Sequence, residues 1–176
     1  SLTTARYASQ AGTHVALDFV EAPSQMLENW AYEPEVLKIV SEGMPDDLAK
    51  RLNAARKYDA GVRYQRQVFL AKFDQAIHTT DKADADAVSK KLWADIMKFP
   101  EDKEEHFAGT FGHMMGGYDG GYYGYLWSEV FAADMFTRFQ KEGVLNAKTG
   151  RDYREKVVAR GRTVERELQL DAALDR

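Results

Sequence analysis

Apolar and polar positions recur at helical spacing along most of the chain. In "GTHVALDFVEAPSQMLENW", Gly12 to Trp30, the residues Asp18, Glu21, Gln25 and Glu28 stand three, four and three apart. On a helix they share one face, while Val15, Phe19, Ala22, Met26 and Leu27 fall on largely apolar positions. The pattern predicts helices over about 14–31, 34–42, 46–57, 60–79, 83–98, 122–142, 150–160 and 163–174. Pro34 fits a first helical turn and Gly43 a helix end. Pro45, followed by Asp46 and Asp47, marks a new start with acids toward the positive end of the dipole. Segment 60–79 carries Val62, Val68, Phe69, Phe73 and Ile77 and reads as a buried helix. No useful length alternates as a strand would, so the expected class is all-α, with 1–176 as a single helical domain.

One stretch departs from this pattern. "GTFGHMMGGYDGGYYGY", Gly109 to Tyr125, holds seven of the thirteen glycines and four of the nine tyrosines. Glycine costs a helix about 1 kcal/mol per residue relative to alanine, so Gly109–Gly121 is expected to be irregular. A flexible connection is the ordinary reading of a glycine-rich stretch. Disordered linkers are poor in aromatics, however, and this one is dense in them. Interleaved glycine and tyrosine point to backbone amides and phenols meeting a ligand with a peptide backbone. No G-K-[S/T] follows, so it is not a phosphate loop.

Composition narrows the classes. Hydrophobic residues make up 44% and aromatics 12%, enough for a core, and the net charge of −4 disfavours nucleic acid as a partner. No apolar run approaches the roughly 20 residues of a membrane span, so no membrane partner is expected. There is no cysteine and no visible signal peptide, and a cytoplasmic location is expected. The chain does not begin with Met and is expected to be a piece of a longer protein.

The acidic stripe admits two readings. One is a solvated helix face. The other is a metal or catalytic site, favoured by three features. No Lys or Arg lies between Arg6 and Lys38, the amides Gln25 and Asn29 join the acids, and Pro23 removes a backbone donor inside the expected helix, freeing the Phe19 carbonyl. The histidines are His14, His78, His106 and His113, none of them four residues from another. His78 reads as a hydrogen-bonded structural residue, and His113, inside the Gly/Tyr stretch, as a functional one. No Ser/His/Asp signature is present.

These residues carry a resemblance. "SQAGTHVALDFVEAPSQMLENW" resembles the stretch after the zinc-binding helix in the thimet oligopeptidase and neurolysin family, which includes bacterial oligopeptidase A and dipeptidyl carboxypeptidase. "RQVFLAKFDQAIH" and "FGHMMGGYDGGYYGYLWSEVFAADMFTRF" are similar to later segments of that family, and "LDAALDR" to its tail. The resemblance implies an all-α C-terminal part of a zincin-like oligopeptidase catalytic domain. It implies that Glu21 is the third protein ligand of a catalytic Zn2+, with Asp18 and Gln25 orienting ligands. It implies that Tyr125 donates to the oxyanion. His113, Tyr118 and Tyr122, with Gly116 and Gly117, would contact the substrate backbone or support that charge.

The family's H-E-x-x-H, which supplies two zinc histidines and the general base, does not occur in these residues. The expectation is therefore a C-terminal fragment that cannot hold zinc or hydrolyse peptides alone. Its expected partners are short peptide substrates and the missing N-terminal part of the peptidase, and the fragment is expected to self-associate. The alternative is a naturally short, non-catalytic helical module that binds peptides or a partner.

Overall fold

Among the residues described by a computed structural model (2–100, 106–163 and 171), the apolar stripes become eight α-helices and no strand. They are α1 (Ala22–Glu28), α2 (Pro34–Val40), α3 (Asp46–Lys57), α4 (Ala60–His78), α5 (Ala85–Leu92), α6 (Phe107–Thr110), α7 (Gly124–Glu142) and α8 (Ala147–Tyr153). The expected helix over 163–174 lies almost wholly outside the described residues. The chain divides into two compact units, Ser1–Ala55 with Trp127–Arg176, and Arg56–Leu126.

In the first unit, Ala22 and Met26 of α1 are four apart and fully buried. They belong to one core with Phe19, Val144, Val157 and the α7 positions Ala132, Met135, Phe136 and Phe139. Those α7 positions follow the spacing i, i+3, i+4, i+7 of a buried stripe. Trp30 seals this core with its ring edge-on to Phe136 and Phe139, at 4.9 and 4.7 Å. Its indole N–H is satisfied by the Val144 carbonyl at 2.7 Å. Buried Arg138 is neutralised by Glu142 and Asp152, at 3.0 and 2.7 Å. The N-terminal segment is held by the Thr4 amide on the Ala159 carbonyl at 2.8 Å. Gly161 is required there: its φ is +54°, and a Cβ would lie 2.1 Å from the Gln10 carbonyl oxygen.

The stretch 14–31 differs from its expected form. Residues 17–21 are successive turns, and the regular helix begins only at Ala22. Pro23 lies in the first helical turn, where a missing N–H costs nothing, so it starts the helix rather than distorting it. The Phe19 carbonyl is not freed but accepts from the Ala22 amide at 2.9 Å.

In the second unit, Phe69, Leu70 and Phe73 of α4 are buried with Met97, Phe111 and Tyr122. Val68 faces outward, while Val62 and Ile77 pack against the edge of this core. Phe107 meets Phe69 at 5.1 Å and Phe73 at 5.2 Å, and Trp93 stands edge-on to Phe69 at 5.4 Å. Asp84 caps α5 by accepting from the Ala87 amide at 3.0 Å. The helix continues as a π-turn, Trp93–Met97, and ends at Lys98 with φ +61°.

Candidate functional site

In the second unit, the Gly/Tyr stretch is held in shape by α4. A short helical turn, Phe107–Thr110, leads into it and a second, Gly112–Met115, follows, so its first half is more regular than its glycines imply. The His113 carbonyl then accepts from the amides of Gly116 and Tyr118, at 3.1 and 3.3 Å. The chain next passes Gly120, whose φ of +70° a side chain would resist. There the fully buried carboxylate of Asp74 accepts the Gly120 amide on one oxygen and the Tyr122 amide on the other, both at 2.8 Å. Gln75 donates to the Gly120 carbonyl at 2.7 Å. Nδ1 of His78 lies 2.8 Å from the Asp74 carbonyl and 2.9 Å from its carboxylate, the structural role expected of it.

This anchoring gathers the expected substrate residues. The His113 ring lies 5.7, 5.1 and 5.7 Å from the rings of Tyr118, Tyr122 and Tyr125, edge-on to each. Tyr118 and Tyr125 stack at 5.0 Å with 19° between their planes. Phe111 backs the group at 5.0 Å from Tyr122 and 5.4 Å from His113. The rings line a cavity of about 570 Å³, shared with Arg66, Leu70, Thr110 and Gly116. Gly117 is exposed, with φ +89°, and is not among the lining residues. Burial pushes the Tyr122 phenol above its ordinary pKa, against a smaller opposing effect of its hydrogen bond to Gln67. A phenol that stays protonated remains an O–H donor at neutral and mildly alkaline pH. The cavity wall therefore presents phenol O–H groups that can donate hydrogen bonds to oxygen atoms of a ligand.

In the first unit, Glu21 is the N-cap of α1 and is partly buried. Its carboxylate Oε2 and its carbonyl each accept from the Ser24 hydroxyl at 2.9 Å. The Gln25 amide also donates to that carbonyl, at 2.9 Å. Glu21 lies on the wall of a cavity of about 330 Å³ otherwise formed largely by Val15, Phe19, Val20, Pro23, Val157 and Val158. Asp18 does not share the helix. It lies in the preceding turns, its carbonyl taking the Ser128 hydroxyl at 2.9 Å. Gln25 is on α1, with its side-chain oxygen buried. Among the described residues no three His, Asp or Glu side chains cluster so as to hold a metal ion. The donor that Glu21 offers is a carboxylate oxygen anchored by a hydroxyl, which fits a single ligand position in a zinc site completed by other residues.

The model of peptidase family M3 matches residues 1–176. The chain belongs to peptidase family M3. It is 37% identical over 182 residues to oligopeptidase A of Escherichia coli, covering 92% of this chain and 27% of that protein. It is 38% identical over 170 residues to a thimet-like oligopeptidase of Dictyostelium discoideum, covering 90% and 25% respectively. Dipeptidyl carboxypeptidase of Salmonella typhimurium is 31% identical over 179 residues, covering 95% and 26%. The chain thus spans about a quarter of the length of these M3 relatives.

Within this M3 segment the sequence reading missed Asp74 and Arg66. Asp74 had a signal: an acid beside Leu70, Phe73 and Ile77, on the apolar face of α4, needs a buried partner. Arg66 had none, because charged residues are ordinary on a helix and only the fold brings it to the tyrosines.

Proposed function

We propose that this chain is the C-terminal part of a zinc-dependent oligopeptidase that hydrolyses internal bonds of short peptides. The reading rests on the three phenols and one imidazole gathered on a single cavity wall in a member of family M3. Glu21 contributes one carboxylate ligand to the metal, and Ser24 fixes the orientation of that carboxylate. When bound, zinc supplies Lewis acidity and a nucleophilic water at neutral pH. Asp18 and Gln25 hold the metal-binding segment in place. His113, Tyr118, Tyr122 and Gly116 grip the peptide backbone. The Tyr125 hydroxyl donates a hydrogen bond to the carbonyl oxygen as it becomes an oxyanion.

Tyr125→Phe tests this in the full-length protein. The substitution removes one oxygen and leaves the ring stacked on Tyr118. Loss of a donor used only in the transition state should lower kcat by roughly 10²–10³-fold and move KM far less. Tyr122→Phe should place a larger share of its effect on KM. Steady-state kinetics with one peptide, checked by metal content, decides the matter. Near wild-type kcat for Tyr125→Phe, or loss of activity only through loss of metal, would remove Tyr125 from the oxyanion role. A full-length protein that binds peptides and never cleaves them would favour a binding module.

A further inference from the structure

Among the described residues that line the tyrosine cavity, Arg66 is the one permanently charged side chain and none bears a carboxylate. Arg66 lies on α4 one turn before Leu70, and both reach the cavity wall. Burial raises the pKa of the Tyr122 phenol on the same cavity wall, and the Arg66 charge is a minor opposing effect. Asp74, also on α4, is buried and spent on the Gly120 and Tyr122 amides. Among the described residues no acid forms an ion pair with Arg66. Among the described residues the cavity therefore offers one guanidinium fork, three phenols and no carboxylate, in a chain whose net charge is −4.

Taking the peptidase reading above as its basis, we propose that Arg66 binds a carboxylate of the peptide substrate and makes recognition depend on that charge. The guanidinium presents paired N–H donors that match the two oxygens of a carboxylate. Ordinary peptides carry this group in two places, the C-terminal carboxylate and the side chains of Asp and Glu. A cavity of about 570 Å³ lies within the size range of small-ligand sites and has room for a residue or two beside the phenol rings.

The test uses the full-length protein and three peptides of matched sequence. One has a free C-terminus and no acidic side chain, one is its amide, and one is the amide with a single Glu. Binding is measured by titration calorimetry and hydrolysis by kcat/KM. The acid should be preferred over the amide by roughly 10- to 100-fold, and Arg66→Gln should bring that ratio close to one. Arg66→Lys should keep part of the preference, since it keeps the charge and loses the fork. Recovery with the Glu peptide would identify the side chain as the source, and preference for the free acid alone would identify the C-terminus. Equal use of all three peptides by the wild type, or an unchanged ratio in Arg66→Gln, overturns the proposal while leaving the peptidase reading intact. Charge-dependent binding without hydrolysis overturns the peptidase reading and supports the role of Arg66. Arg66 is exposed, so the variant should fold, and its thermal midpoint is compared with wild type.

Discussion

Asp74 shows how one side chain sets the geometry of a whole segment. Two backbone amides point at its two oxygens from positions two residues apart, Gly120 and Tyr122. Asp74→Asn keeps the size and replaces one acceptor oxygen with a donor, which leaves one amide facing an N–H. A buried amide without an acceptor costs about 1–3 kcal/mol. Hydrogen exchange at Gly120 and Tyr122 should therefore accelerate by roughly 5- to 150-fold, with amides in the middle of α7 unchanged. Unchanged exchange at both amides would show that Asp74 does not anchor the segment. The tyrosine group was legible in the sequence because glycine and tyrosine rarely alternate so densely by chance. Asp74 is less legible, because helical periodicity scores every acid as outward-facing. The fold instead uses this acid to close a turn that glycine alone leaves loose.

At the scale of elements, the start of α1 separates pattern from structure. The three-four-three spacing from Asp18 to Glu28 reads as one continuous helix, yet turns occupy its first part. Successive turns also place residues three and four apart near one another, so periodicity does not distinguish them from helix. Pro23 did carry the distinction, since proline favours a first turn and resists an interior. Pro23→Ala should accordingly change stability by no more than about 1 kcal/mol, against the gain of about 3 kcal/mol expected on removing an interior proline. The urea midpoint of the variant measures the difference. A large stabilisation would restore the longer helix. The same logic explains why 83–98 and 150–160 read as unbroken: α5 and α8 each run on into a π-turn, Trp93–Met97 and Arg154–Val158. Each π-turn contributes a buried residue, Met97 and Val157, so the apolar signal continues while the hydrogen-bonding register changes.

For the whole molecule, pH should erode stability from both sides through different groups. On the acid side, Glu142 is held below the ordinary carboxylate range by its hydrogen bonds from Thr149 and Arg138, and Asp152 by its bond from Arg138. A depressed carboxylate pKa stabilises the fold above the unfolded value, near ~4, and the contribution disappears as pH falls through the folded value. Arg138 is buried, so protonating its two partners strands a charge and weakens the α7–α8 region. The pair Lys38–Asp46 is exposed on both sides and should add little. On the alkaline side the sign reverses. Burial raises the phenol pKa of both Tyr153 and Tyr122, so the folded chain keeps protons that the unfolded chain releases near pH ~10. Folded protein binding more protons than unfolded means that stability falls as pH rises above that point. Among the described residues the buried Tyr153 hydroxyl has no hydrogen-bond partner. Tyr153→Phe should therefore raise stability at neutral pH by about 1 kcal/mol and flatten the alkaline decline. Thermal midpoints from pH 3 to 11 for wild type and variant test both limbs together. A variant that is less stable at pH 7 would show that the Tyr153 hydroxyl is hydrogen-bonded in solution, and one whose alkaline decline matches wild type would show that burial does not raise its pKa.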